Sequence, residues 1–301
     1  MKVFANGTLT EAATPPAGHG LVYFAAAREA AAVPGFTGFL REVQHSESGT
    51  AATRFESHFG FDYLSLRVPN LADAGVPVAR GAICFDGDNL LFLCQNLPAC
   101  DALQDKLAHW QGEPPAPAQV LSLFFSQLLG GDTAALSDIE DEIAQLEDRV
   151  LEDENDNFTA AISALRKRLL VLKRYYESLF DLLEDLEENR NGFYTAEQLR
   201  NFHLATNRAD RLSNAVLNLR DHVTQVRESY QNQLDIKLNQ IMKVFTVITA
   251  VFLPLSLIVG WYGMNVYMPE TVYPILYPII IAVCVVIVVG CLWYFKRHKW
   301  F

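Results

Sequence analysis

Residues 262–270 read YGMNVYMPE, and between Val244 and Phe295 the only formal charge is that of Glu270. An amide on Asn265, a carboxylate on Glu270 and a glycine at Gly263 thus stand at the turn of an otherwise apolar hairpin. A plain linker needs none of them, whereas oxygen donors at such a turn can handle water or a cation. A second set of oxygens leads up to it. Met242, Phe245, Thr249, Leu253, Ser256 and Gly260 are spaced by 3, 4, 4, 3 and 4, which places them on one helix face. Two readings of that face stand side by side. Its hydroxyls bond back to their own helix and the face is ordinary helix contact. Alternatively it lines a pore, with apolar rings that constrict and hydroxyls that offer oxygen to a hydrated ion.

The elements that must carry these residues are two apolar runs. Val244–Tyr262 is 19 residues without charge, roughly 28 Å as a helix and close to the thickness of a bilayer core. Thr271–Phe295 is a second run, with Pro274 and Pro278 near its start. A buried soluble helix would account for either run alone; the two together predict transmembrane helices over 244–263 and 271–295, joined by an external loop at 264–270. Pro254 is expected to kink or loosen the first. Lys237 and Lys243 precede the first run, Lys296, Arg297 and Lys299 follow the second in a basic tail (296–301), and the turn holds neither Lys nor Arg. This asymmetry predicts a multi-pass membrane protein with N- and C-termini cytosolic, and Trp261, Tyr262, Tyr267, Tyr273 and Tyr277 in the outer aromatic belt; the membrane is expected to be the cell's inner (plasma) membrane. Two helices cannot enclose a water path, so a pore requires several copies of the chain. The second run has no polar stripe and reads as an outer, lipid-facing helix.

The chain has 301 residues and a formal net charge of −11. An acidic surface argues against nucleic-acid partners and permits cation binding. The N-terminus MKVFANGTLTEAATPP has no apolar core of a signal peptide, so the bulk of the chain is expected in the cytosol. Five cysteines without CxxC spacing suggest reduced, buried thiols. Residues 1–112 read as a cytosolic α/β domain: LVYFAA (21–26), FDYLSLRV (61–68), AICFD (82–86) and LLFLCQ (90–95) are strand-like, and Gly87-Asp88-Asn89 is a hairpin turn. A helical pattern, FTGFLREVQ, lies between them. The Pro-rich EPPAPA marks a joint, after which 113–193 reads as acidic helices. The stretch 137–157 holds ten carboxylates and one arginine, with Ile139, Ile143, Leu146 and Val150 at helical spacing. A second helix is expected over roughly 159–189, with Gly192 as its stop. The stalk, 194–243, begins at the cap Thr195-Ala-Glu-Gln and runs on into the first apolar run, about 100 Å of helix if unbroken. Such a rod could carry a cytosolic movement to the membrane. There is no nucleophile elbow, phosphate loop, dinucleotide fingerprint or paired-histidine motif, so neither an enzyme nor a catalytic cofactor is expected.

Tyr262-Gly263-Met264-Asn265 followed by Met268-Pro269-Glu270 resembles the signature of the CorA family of divalent-cation channels. The resemblance extends through LNQIMKVFTVITAVFLPLSLIVGWYGMN (238–265) and the closing YFKRHKWF (294–301), and more faintly to FDYLSLRV and GDNLLFLCQ. It implies an α+β membrane protein that assembles as a homopentamer among membrane lipids, with a cytosolic funnel, first spans lining a pore and second spans outside. It further implies that Gly263, Met264 and Asn265 form the outer selectivity ring and that Met242, Phe245, Leu253 and Ser256 face the pore. Magnesium yields its waters reluctantly, so a neutral amide that accepts hydrogen bonds from coordinated water suits transient binding. Five carboxylates would release a divalent ion slowly, whereas Glu270 at the mouth would enrich cations without holding them. The sequence departs from the family's pattern in three places. The loop between Asn265 and Met268 is one residue short and lacks the usual acidic residue; Phe245 stands where relatives often have Leu; and NFHLATNRADRL offers only Asp210 for the regulatory carboxylate many relatives carry.

The resemblance implies pore-type transport of Mg2+, with Co2+ or Ni2+ as further cargo. A ZntB-type Zn2+ transporter, proton-coupled or not, is the second expectation, and a membrane-anchored scaffold that conducts little is a third from a different class.

Overall fold

The computed structural model describes residues 1–36, 53–71, 78–152, 157–264 and 275–298. The described residues form two compact units, Met1–Arg227 and Glu228–Phe301. In the first, seven strands form one mixed sheet: β1 (Lys2–Ala5), β2 (Thr8–Glu11), β3 (Val22–Ala25), β4 (Arg54–His58), β5 (Phe61–Val68), β6 (Ala79–Phe85) and β7 (Leu90–Gln95), in the order β2-β1-β3-β7-β6-β5-β4. Only β3 and β7 run parallel; the other neighbours are antiparallel.

The expected hairpin joins β6 to β7, with Phe85 paired to Leu90. Its turn is built by Asp86, whose carboxylate accepts from the backbone N–H of Asp88 (3.0 Å) and Asn89 (2.6 Å). Side chains of this kind that bond backbone two and three residues on are what make Asp a turn residue. Gly87 stands at φ +95°, where a Cβ would also lie 3.0 Å from the Phe193 ring, so two constraints select glycine.

Strand alternation divides the core in two. Tyr23, Tyr63, Cys84 and Leu91 point to one face with Val33 and Phe36. Phe24 and Phe92 point to the other, stacked at 5.0 Å, and Phe92 meets Phe124 at 5.3 Å. Phe124 belongs to α2 (Pro117–Leu128), which follows α1 (Pro98–Ala108). Both helices start with Pro in the first turn, where its missing N–H costs nothing. The Pro-rich joint is thus also a helix start.

Three long helices follow. α3 (Asp132–Glu152) buries Leu136, Ile139, Ile143, Leu146 and Val150, and α4 (Thr159–Glu187) buries a leucine stripe with Tyr175 and Tyr176. The helix stop differs from the expected Gly192: α4 ends at Glu187, and Asn189 takes φ +50°. There its side chain bonds the backbone of Tyr194 in both directions, at 3.0 and 3.1 Å. α5 (Ala196–Tyr262) is assigned as one helix through Pro254. It opens on the capping box expected from Thr195 and Gln198, with reciprocal bonds of 2.9 and 3.4 Å. α6 spans Leu276–Arg297.

Cys94 and Cys100 lie side by side, with Cα atoms 6.6 Å apart, while Cys84 is a buried free thiol. The short passage from the end of β7 into the first turn of α1 folds the two thiols together, a proximity that their separation of six residues does not announce. The helical pattern FTGFLREVQ falls, apart from Phe36, outside the described residues.

Candidate pore-lining helix and outer turn

In the second unit the apolar windows of α5 and α6 are 6% and 0% buried within the chain. A core helix of a soluble protein would be mostly covered, so these two helices present an apolar surface to whatever surrounds them. Where α5 is covered, the pattern is one-sided. Val247 is buried, and Ala250, Val251, Pro254, Leu255 and Ile258 are half-buried. The Cys291 thiol of α6 lies 4.0 Å from the Ala250 carbonyl, which marks this side as the one that meets α6.

Met242, Phe245, Thr249, Leu253, Ser256 and Gly260 are all exposed. At 100° per residue their mean direction lies roughly opposite to the side that meets α6. The stripe expected from spacing is therefore one continuous face, left open by the partner helix of its own chain. Thr249 donates its hydroxyl proton to the Phe245 carbonyl at 2.9 Å, and the off-stripe Thr246 does the same to Met242 at 2.7 Å. Back-bonding of Thr, the blander of the two readings, is thus present. It does not remove the hydroxyl from ion chemistry, because a donated proton leaves the oxygen lone pairs free to accept from water.

Gly263 closes the helix. Its N–H bonds the Val259 carbonyl at 2.8 Å, and a Cβ here would stand 2.8 Å from that same oxygen. The glycine is thus required by close approach of the backbone, which the sequence alone expressed only as a helix stop. Met264 follows, exposed, with its N–H on the Trp261 carbonyl at 3.4 Å. Asn265 and Glu270 lie outside the described residues.

At the other end of α6, Phe295 is buried and the Arg297 guanidinium stacks 5.3 Å from the Trp293 ring. Lys296 and Arg297 form the last turn of that helix, where cations are favoured by the helix dipole. In the first unit, Asp210 is an exposed carboxylate on α5. Among the described residues no three His, Cys, Asp or Glu side chains converge to hold a metal ion.

Two polar anchors were missed by sequence reasoning. Asp62 on β5 is 1% exposed and accepts from Ser57 (2.9 Å) and Asn191 (2.8 Å). Burial raises its carboxyl above the usual range, and these two donors oppose the rise. Asp132 at the start of α3 accepts from Tyr176 on α4 at 3.0 Å. Burial, opposed by Tyr176 and Arg208, leaves its pKa raised to about 6. Neither carboxylate lies in a motif, and only the folded chain shows that each is buried.

A family profile described as "CorA-like Mg2+ transporter protein" matches residues 41–297. The chain is 33% identical over 166 residues to the cobalt/magnesium transport protein CorA of Thermotoga maritima, and 30% identical over 166 residues to that of Methanocaldococcus jannaschii. The aligned stretch covers 55% of this chain and 47% and 52% of those relatives, about half their length. The solved structure of the M. jannaschii CorA magnesium transporter superimposes with a TM-score of 0.84 at 20% identity, covering 100% of this chain and 98% of that one. The ZntB cytoplasmic domain from Vibrio parahaemolyticus superimposes with a TM-score of 0.62 at 19% identity, over 78% of this chain and 98% of that one. The CorA relatives of T. maritima and M. jannaschii are named as transport proteins, in line with the expectation that the chain is not an enzyme. The fold is that of a full-length CorA chain: an N-terminal mixed α/β part, a long helix and two C-terminal apolar helices. The chain belongs to the CorA-like Mg2+ transporter family.

Proposed function

We propose that the chain forms a membrane pore that conducts divalent cations, Mg2+ first among them and Co2+ or Ni2+ as further cargo. Several copies, five by resemblance to the family, surround one axis in the inner (plasma) membrane with both termini cytosolic. The observation that carries this reading is the open face of α5. Six residues chosen by spacing line up opposite the side that meets α6, and they end one turn below Gly263. In a ring of copies such a face can point to a common axis while α6 lies outside. Met242, Phe245 and Leu253 then constrict, and Thr249 and Ser256 offer oxygen to the ion's waters. At the outer end Gly263 and Met264 position Asn265, whose amide oxygen accepts hydrogen bonds from the hydrated ion, and Glu270 enriches cations at the mouth. Asp210 is the weak candidate for an intracellular regulatory ligand, a role that would need a second carboxylate from another copy.

The ion and its driving force are tested with the wild-type chain in liposomes loaded with magnesium-, zinc- or proton-sensitive dyes. Mg2+ entry down its own gradient, without proton movement, is the expected result. Zn2+ entry accompanied by protons would move the chain to the ZntB-like reading, and no flux of any ion would leave a membrane-anchored scaffold.

A further inference from the structure

The three long helices of the first unit pack as a triangle, and its charges are sorted by direction. On α3, Glu142 reaches one flank, to Arg168 of α4 at 2.8 Å. Glu147 reaches the other, to His222 of α5 at 3.0 Å. Between those flanks, on the side opposite the buried Ile139, Ile143 and Val150, run Asp138, Asp141, Asp148 and Glu152. They recur at helical spacing, all are exposed, and among the described residues none has an ion pair within the chain. The exposed Leu151 adjoins them.

The opposite edge of the triangle is the groove between α4 and α5. Arg166 and Lys167 of α4 and Arg220 of α5 line it together with Leu170. These three cations likewise have no ion pair among the described residues, and Asp221 is the one carboxylate beside them. Three cations against one carboxylate make this edge a local positive patch on a chain whose net charge is −11, complementary to an anionic surface. The groove is shallow and open, unlike the enclosed site a small anion needs, and the exposed Leu170 that helps line it suits a helix face.

We propose that the Arg166–Lys167–Arg220 groove of one copy receives the acidic outer stripe of α3 from the next copy. Stripe and groove lie on opposite sides of one three-helix unit, so the contact is heterologous, and a repeated heterologous contact closes a ring when its rotation allows. Charge complementarity fixes the register, and the apolar Leu151 and Leu170 fill the centre. The inference rests on the oligomeric reading above and adds to it the surface on which copies meet.

The test uses the full chain purified in detergent. A carbodiimide joins Lys167 to a carboxylate only where the two touch, and peptide mass spectrometry of the dimer band locates the link. Links from Lys167 to Asp141, Asp148 or Glu152 are expected in dimer bands. Their yield should fall about tenfold in the Arg166→Glu, Arg220→Glu double variant, the loss that ~1.4 kcal/mol produces. Adding Asp141→Arg and Asp148→Arg to that variant should recover the dimer bands through Glu152, because the charges are then swapped rather than matched. Light scattering on the same samples separates the outcomes. An oligomer whose dimer bands lack links from Lys167 to α3, or whose links ignore the charge reversal, overturns this interface and leaves the oligomeric reading intact. A monomeric wild type overturns both.

Discussion

The Tyr176 hydroxyl donates to Oδ2 of Asp132 across 3.0 Å in the interior between α3 and α4, and Asp132 is 4% exposed. The bond joins the first turn of one helix to the middle of the next. Because burial disfavours the charged form, the Asp132 pKa is raised from the ordinary value of 3.8 to about 6.

A raised carboxyl pKa means the folded protein holds its proton more tightly than the unfolded chain. The stabilisation from this group is full below about pH 4 and is lost as pH rises through about 6. The change is on the order of 3 kcal/mol between pH 4 and 7. Thermal unfolding of the full chain should thus show a component that weakens over this window, and Asp132→Asn, which keeps an acceptor for Tyr176, should flatten it. A wild type and an Asn variant with the same pH dependence would contradict this account.

Asn191 anchors the turn after α4 to the sheet. Its amide donates to Asp62 and to the His58 carbonyl, each at 2.8 Å. Asn191→Ala leaves a buried carboxylate short of a donor, which costs about 1–3 kcal/mol. A lower unfolding midpoint is expected, together with faster hydrogen exchange of β4 and β5. An exchange pattern unchanged at the β4–β5 turn would sink the anchoring role.

Gly263→Ala puts a methyl group 2.8 Å from the Val259 carbonyl, closer than Cβ atoms approach a backbone oxygen. The last turn of α5 must shift, and Asn265 with it. Expression and membrane insertion should survive; if Gly263 places a ring of Asn265 amides as proposed, Mg2+ flux should fall severalfold, since conduction depends on weak, well-placed binding. Wild-type flux from this variant would show that the turn tolerates the shift.

Thr249→Val preserves size and removes the oxygen. If the stripe lines the pore, flux should fall with assembly unchanged, and Phe245→Ala should raise basal leak by widening a constriction. Equal conduction in all three proteins would return the stripe to ordinary lipid or helix contact.

What the sequence announced and what it withheld follow physical lines. The β6–β7 hairpin was legible because Asp86 to Asn89 carry their turn chemistry locally, and the long α5 because its apolar positions repeat without a stop. β1, β2 and β4 were missed. They are short, and β2 and β4 lie at the two edges of the sheet with no buried position, so they lack the apolar alternation that marks a half-buried strand. The Cys94–Cys100 proximity and the burial of Asp62 and Asp132 depend on contacts made by distant or turning chain, and no local pattern encodes them. The stripe on α5 was read from spacing alone, but that it faces away from α6 required the fold.

The most direct measurement is Mg2+ uptake into proteoliposomes by wild type and Asn265→Ala at matched protein density. Wild-type uptake that collapses in the variant, by about tenfold or more for a loss of ~1.4 kcal/mol in transition-state interaction with the ion, is the predicted result. Equal uptake by the two proteins would contradict the claim that Asn265 forms the ring that admits the hydrated ion.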